Sequence, residues 1–211
     1  MKNEIIIVGA FHEIIELAED LNISILGLID NEKVGLYRNY PILATDATSN
    51  DLSPEIKEVP IVITPDGPAL RMKLSVMYKK FGYTFSSLVA IGAKVSKSAF
   101  IGNGVIIQHG VNVSAQAEIA DFVKLNTYCN VMHNSAVGKY TTIAPGAVIL
   151  GNVQIGESCY IGANSTILPN ISVCDNVVIG AGAVLTKDIN QPGTYIGVPA
   201  KRMSPNKISE N

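Results

Sequence analysis

The chain of 211 residues has no excess of positive charge: 16 lysines and arginines stand against 18 aspartates and glutamates, and no basic stripe runs along it. That balance excludes a polyanion binder and removes nucleic acid from the expected partners. Apolar residues make up 47% of the chain, yet no run of about 18 uncharged apolar residues occurs, so no membrane insertion is expected. Met1 to Glu4 lacks a signal-peptide pattern, which predicts a cytoplasmic protein. Cysteine is scarce: Cys129, Cys159 and Cys174 cannot pair fully and have no close metal-type spacing, so neither a disulfide framework nor a zinc site is expected.

What is abundant is a period. Stepping by six from Val89 through Val95, Ile101 and onward to Leu185 lands on Val, Ile or Leu at all 17 positions. Two residues before each step lies a smaller set, from Ala99 and Val105 through Cys129, Ser135 and Thr141 to Ala183. Two inward residues separated by one outward residue is strand alternation, and the remaining positions must turn the chain. The third residue after each large apolar one is Gly or Asn at nine of fourteen places between Gly104 and Gly182, residues that tolerate a positive φ. A chain that turns every six residues and stacks its strands forms a parallel β-helix. Cys129 and Cys159 then fall on small inward positions as packing residues, whereas Cys174 is expected to face outward.

The first part of the chain has another character. Glu4 to Val8 reads as a buried strand ending at Gly9, Ile14 to Leu21 as an amphipathic helix, and Ser24 to Ile29 as a strand ending at Asp30 and Asn31. Val59 to Thr64 is a further strand, Ala69 to Phe81 a helix, and Tyr83 to Val89 a last strand leading into the solenoid. This order predicts an α/β N-terminal nucleotide-binding domain with a small parallel sheet over residues 1–86, followed by the β-helix over 87–211. Ligands of such sheets sit beyond the carboxyl ends of the strands, which places Gly9, Ala10, His12, Asp30, Asn31 and Thr64 at the mouth. Asp30 has a competing reading as a turn former, and His12 as a helix-start residue. Arg71 and Lys73 are expected on a solvated helix face.

The α/β start, the six-residue repeats and the tail Gly197 Val198 Pro199 Ala200 Lys201 Arg202 together resemble the sialic acid O-acetyltransferase and bacillosamine-pathway N-acetyltransferase family. The resemblance implies a left-handed parallel β-helix of hexapeptide repeats, a homotrimer, and acetyl-CoA as co-substrate held between neighbouring prisms by Gly151, Ala163, Ala181 and Lys201. It further implies that the N-terminal domain holds the nucleotide of a sugar nucleotide and that His133, with Asn126 seven residues earlier, carries the chemistry. Imidazole titrates near neutrality and can accept the proton that a sugar amine or hydroxyl loses as it attacks a thioester, worth a factor of about 10² to 10⁴. In the family a backbone N–H one coil above the histidine receives the oxyanion, which here falls on Gly151, 18 residues beyond His133.

Two departures stand out. Many relatives carry a carboxylate beside the histidine, but Met132 and Asn134 flank His133; Asn134 can hydrogen-bond the ring without charge. The family turn Gly-Ala-Gly-Gly-His-Gly is shortened to Gly9 Ala10 Phe11 His12 Glu13, which makes backbone approach to a phosphate harder. The leading expectation is N-acetylation of a nucleotide-linked amino-dideoxy sugar at C4 for surface polysaccharide or glycan synthesis. O-acetylation of sialic acid or a related sugar is the alternative enzyme, and a non-catalytic scaffold the alternative class. A metal enzyme on this solenoid needs three converging histidines, and the repeat holds only His109 and His133; no metal is expected.

Overall fold

The computed structural model describes residues 4–204; Met1–Asn3, within the stretch read for a targeting signal, and 205–211 of the C-terminal tail lie outside the described residues. The chain opens with β1 (Glu4–Val8), α1 (His12–Asp20), β2 (Ser24–Ile29), β3 (Leu36–Tyr37), β4 (Tyr40–Ala44), α2 (Pro54–Lys57), β5 (Ile61–Ile63) and α3 (Pro68–Lys80). These strands form one sheet in the order β3-β4-β2-β1-β5. β2 and β5 flank β1 in parallel, β4 is parallel to β2, and β3 alone runs antiparallel. Ile5 to Val8 of β1 are buried because both faces are covered, which is why the strand is continuously apolar. α1 buries Ile14, Ile15, Leu17 and Ala18 and turns its acids outward.

Two N-terminal elements differ from expectation. β3 and β4 form a hairpin through Arg38 and Asn39, both at positive φ (47° and 68°), without the glycine that usually announces such a turn. Tyr83 to Val89 is not one strand. Phe85 makes a single bridge to Ile61, and the chain then leaves the sheet so that Leu88–Val89 can pair with Ile106–Ile107 in the first coil.

From there the chain forms a three-sided parallel β-helix with sheets of six, five and eight strands. Pairings such as Asn112↔Asn130, Glu118↔Ala136 and Lys124↔Thr142 show an 18-residue coil in unbroken register. Every sixth-residue position from Ile107 to Leu185 is buried. At the open lower end this fails in degrees: Val95 and Ile101 are only partly buried, and Val89 is 37% exposed because no coil lies beneath it. All fourteen corner positions from Gly104 to Gly182 have positive φ, including Gln116, Phe122, Tyr128, Tyr140 and Ser158. The coil imposes that conformation on residues that do not favour it, since each corner is fixed by strands on both sides.

Cys129 and Cys159 are buried, and burial pushes their thiols up to about 12 and about 11. Cys174 is half-buried against the same core rather than directed outward, and its carbonyl accepts the Cys159 thiol at 3.2 Å. Among the described residues no helix is long and apolar enough to cross a membrane.

The two parts are joined over the eight-stranded face. Leu88, Ala90 and Ile106 pack with β1 and α1, while Phe122 packs with the cluster beneath α3. Arg71, expected on a solvated face, is instead 1% exposed. Its guanidinium donates to the carbonyls of Pro65 and Asp66 on one side, and to Phe122, Tyr140, Thr141 and the Thr142 hydroxyl on the other, at 2.6–3.2 Å. Desolvation brings it down to about 10, an effect that Asp66 opposes. Lys73 is exposed, as expected.

Candidate functional site

The 18-residue coil defines three edges. His133, Gly151 and Ala115 stand on the edge between the six- and five-stranded sheets, while His109, Thr127, Pro145, Ala163 and Ala181 stand on the edge between the eight- and six-stranded sheets. His109 and His133 therefore sit on different edges and form no dyad within the chain. His133 is exposed and follows the inward Val131, so its ring points away from the core. One coil above, Gly151 is buried under that ring: a Cβ there would lie 2.7 Å from both His133 Cε1 and Nε2. Glycine is required by this close approach, since Gly151 is not among the positive-φ residues. Among the described residues the Gly151 N–H donates to no backbone acceptor. Asn134, with φ 58°, is a corner residue and makes no side-chain hydrogen bond to His133.

A first cavity of about 360 Å³ opens at the carboxyl ends of β1 and β2 and is lined by Gly9, Ala10, Asp30 and Asn31 together with Phe11, Lys33 and Tyr37. Asp30 accepts N–H groups from Ala10 at 2.8 Å and from Glu32 and Lys33 at 2.9 Å. Desolvation alone would raise its pKa, but these three donors and the Lys33 charge outweigh it and hold the carboxyl below its usual range. Asn31 exchanges two hydrogen bonds with Asp46, which also accepts the Tyr78 hydroxyl. The Gly9–Phe11 turn closes on itself, with Phe11 N–H donating to Gly9 O at 2.9 Å and Ala10 N–H occupied by Asp30. The N–H groups of Gly9, Ala10 and Phe11 are thus taken.

Two expected mouth residues stand elsewhere. Thr64 is fully buried, and its hydroxyl donates to Val8 O and Gly9 O at 2.8 and 3.0 Å, so it closes the sheet beneath the cavity. His12 lies to the side, its ring 2.8 Å from the Tyr37 hydroxyl and 3.4 Å from Arg38.

A second cavity of about 550 Å³ lies between α1 and the eight-stranded face, lined by Phe11, Asp66, Gln108, His109, Lys124, Asn126 and Thr127 among others. Lys124, which sequence reasoning passed over, is 3% exposed and holds Asp66 at 2.7 Å and Thr64 O at 2.9 Å. Burial lowers its pKa, and Asp66 opposes this. Nothing local in the repeat marks Lys124 as buried; it occupies an outward position that the N-terminal domain covers. Asn126 is 5% exposed, and its amide reaches Asp66 at only 3.5 Å. Lys201 lies beside a third, smaller cavity of about 210 Å³ at the upper end of the prism, where Lys201–Arg202 runs back along Tyr195–Ile196.

Within one chain the structure brings His133 together with Gly151, and Asn126 together with Asp66 and Lys124. It does not bring His133 to either large cavity, nor Ala163 and Ala181 to Gly151.

The model of the bacterial transferase hexapeptide (six repeats) family matches residues 152–187. No curated protein matches the chain. Among solved structures, the acetyltransferase domain of PglB from Neisseria gonorrhoeae FA1090 is 29% identical with TM-score 0.89, over 95% of this chain and 100% of that one. The same domain in complex with acetyl coenzyme A matches over 96% and 100%, again at 29% identity and TM-score 0.89. PerB from Caulobacter crescentus in complex with CoA and GDP-perosamine is 23% identical over 95% of this chain and 97% of its own with TM-score 0.89, a likeness of fold. The repeat, its three-sheet coil and these matches lead to one conclusion: the chain carries bacterial transferase hexapeptide repeats and has the fold of the PglB acetyltransferase domain.

Proposed function

We propose that the chain, divided into a nucleotide-sugar-binding part over 1–86 and a left-handed β-helix over 87–211, transfers acetyl from acetyl-CoA to the amino group of a nucleotide-linked amino-dideoxy sugar, at C4. One observation carries this reading: an exposed imidazole, His133, lies directly over a glycine, Gly151, whose N–H is free of backbone acceptors. The amine lone pair attacks the thioester carbonyl while His133 accepts the amine proton. Gly151 N–H donates to the oxyanion as it develops, and such a donor is worth about 2.7 to 4 kcal/mol. The tetrahedral adduct then expels the CoA thiolate, which takes a proton from the imidazolium.

With His133 on one edge and Asn126 with the second cavity at another, a second copy completes the site on this reading. A heterologous contact closing after three copies would set the six/five edge of one subunit against the eight/six edge of the next. That arrangement joins Gly151 of one copy with Ala163 and Ala181 of another around one CoA groove, with Lys201 near its upper end. The first cavity takes the nucleotide through Gly9, Ala10, Asn31 and the rim of Asp30, with His12 at its flank and Thr64 as support. The solved PglB domain with acetyl coenzyme A and PerB with CoA and GDP-perosamine support the co-substrate and the acceptor class.

The test is CoA release measured with acetyl-CoA and a panel of UDP-, GDP- and dTDP-linked 4-amino-4,6-dideoxy sugars, with free N-acetylneuraminic acid as comparison. We expect turnover with one or more amino sugars; turnover with the free acid alone would overturn the reading.

A further inference from the structure

We propose that the lower end of the prism, the first coil over residues 88–105, docks on the surface of an anionic lipid bilayer. The near-neutral balance of the whole chain hides a local bias. From Gly67 to Ala117 there is no aspartate or glutamate, while Arg71, Lys73, Lys79, Lys80, Lys94 and Lys97 all fall within that stretch. The fold gathers part of it at one end. Leu88–Val89, Lys94–Val95 and Phe100–Ile101 are the last strands of the three sheets, each with a neighbour on one side only. Among the described residues nothing caps them: Ile91 is 77% and Phe100 62% exposed, and Ala93, Val95, Ala99 and Ile101 of the inward set are only partly buried. A solenoid end ordinarily carries a polar cap for solubility. An apolar end that lacks one marks an interaction surface.

The charges choose the partner. Lys94 and Lys97 are exposed and belong to no ion pair among the described residues. The carboxylates near this end stand one coil higher, about 4.8 Å further from the rim. Glu118 lies in register above Phe100, Asp121 accepts the Asn103 N–H and faces Lys139, and Asp20 of α1 meets His109. A second copy stacked end to end would set lysines against lysines. A phospholipid surface instead offers its headgroup anions to Lys94 and Lys97 and its acyl boundary to Ile91 and Phe100. In the edge-to-edge ring proposed above the rotation axis runs along the prisms, so three lower ends face one way and meet one flat surface together. That multiplication rests on the ring, which light scattering measures separately; the surface itself belongs to each chain.

The experiment is cosedimentation of the full chain with vesicles of phosphatidylcholine alone, or of phosphatidylcholine with about one quarter phosphatidylglycerol. Wild type is compared with two double variants, Lys94→Gln with Lys97→Gln, and Ile91→Ser with Phe100→Ser. We expect wild type to bind the anionic vesicles only and to be released by about 1 M salt. Either double variant should partition about fivefold or more weakly. All four positions lie outside the residues assigned to acetyl transfer, so circular dichroism and CoA release with soluble substrates should match wild type and establish that the variants fold. No binding to either vesicle, equal binding to both, or undiminished binding by either variant would overturn the proposal. So would a wild-type mass of twice the ring that falls in Ile91→Ser with Phe100→Ser, since a second copy would then cover this end. Vesicle binding is read without acetyl-CoA or acceptor, so its outcome is independent of the acetyl-transfer reading.

Discussion

At the scale of single residues, the pair His133 and Gly151 gives the sharpest expectations. His133→Ala removes an exposed ring, so the variant should fold as wild type while kcat/KM falls by about 10² to 10⁴. Gly151→Ala is the more discriminating change. Its backbone accepts alanine, but the new Cβ would lie 2.7 Å from the ring, forcing the imidazole aside; kcat should drop by about 10²-fold with the melting temperature little changed. An unaltered kcat would show that the ring position does not matter. Asp30 behaves differently, because its carboxylate anchors the Gly9–Phe11 turn rather than standing free. With its folded pKa below the unfolded 3.8, its contribution is fully present above that value and is lost as pH falls through the lowered folded pKa. Asp30→Asn should therefore cost roughly 1 kcal/mol at neutral pH, after discounting for solvent screening, and in urea titrations the difference should shrink as pH falls through the lowered folded pKa.

At the scale of elements, the eight-stranded face depends on α3 for its partner. Arg71 joins the loop after β5 to a prism corner through acceptors that would be left bare in Arg71→Met, for a loss of about 3 kcal/mol or more, read as a lower denaturation midpoint. Because Arg71 and Thr142 both hold Asp66 O, the same variant should raise the acceptor KM more than the acetyl-CoA KM. The coil itself is less forgiving. Each inward isoleucine is worth about 1.5 to 3 kcal/mol, and Ile143 is fully buried; Ile143→Asp should yield insoluble protein.

At the scale of the whole molecule, the proposed reading divides function between two edges of the prism. Light scattering should give three times the chain mass. His133→Ala and Asn126→Ala preparations, each impaired alone, should regain activity when denatured and refolded together, since a mixed trimer holds some sites with both residues intact. No recovery would mean that each site lies within one subunit.

The sequence by itself determined the solenoid, because inward residues recur every six positions and burial depends on little beyond that local period. It also determined that His133 faces outward, two residues past an inward valine. It was silent on the hairpin at Arg38 and Asn39, whose positive φ values lack a glycine marker, and misleading on Tyr83 to Val89, where the need to reach the first coil overrides local strand preference. Only the tertiary structure decided that Arg71 and Lys124 are interior cations and that Thr64 is a buried support. Those fates depend on which outward positions a second domain happens to cover, and that contact between distant segments leaves no periodic trace.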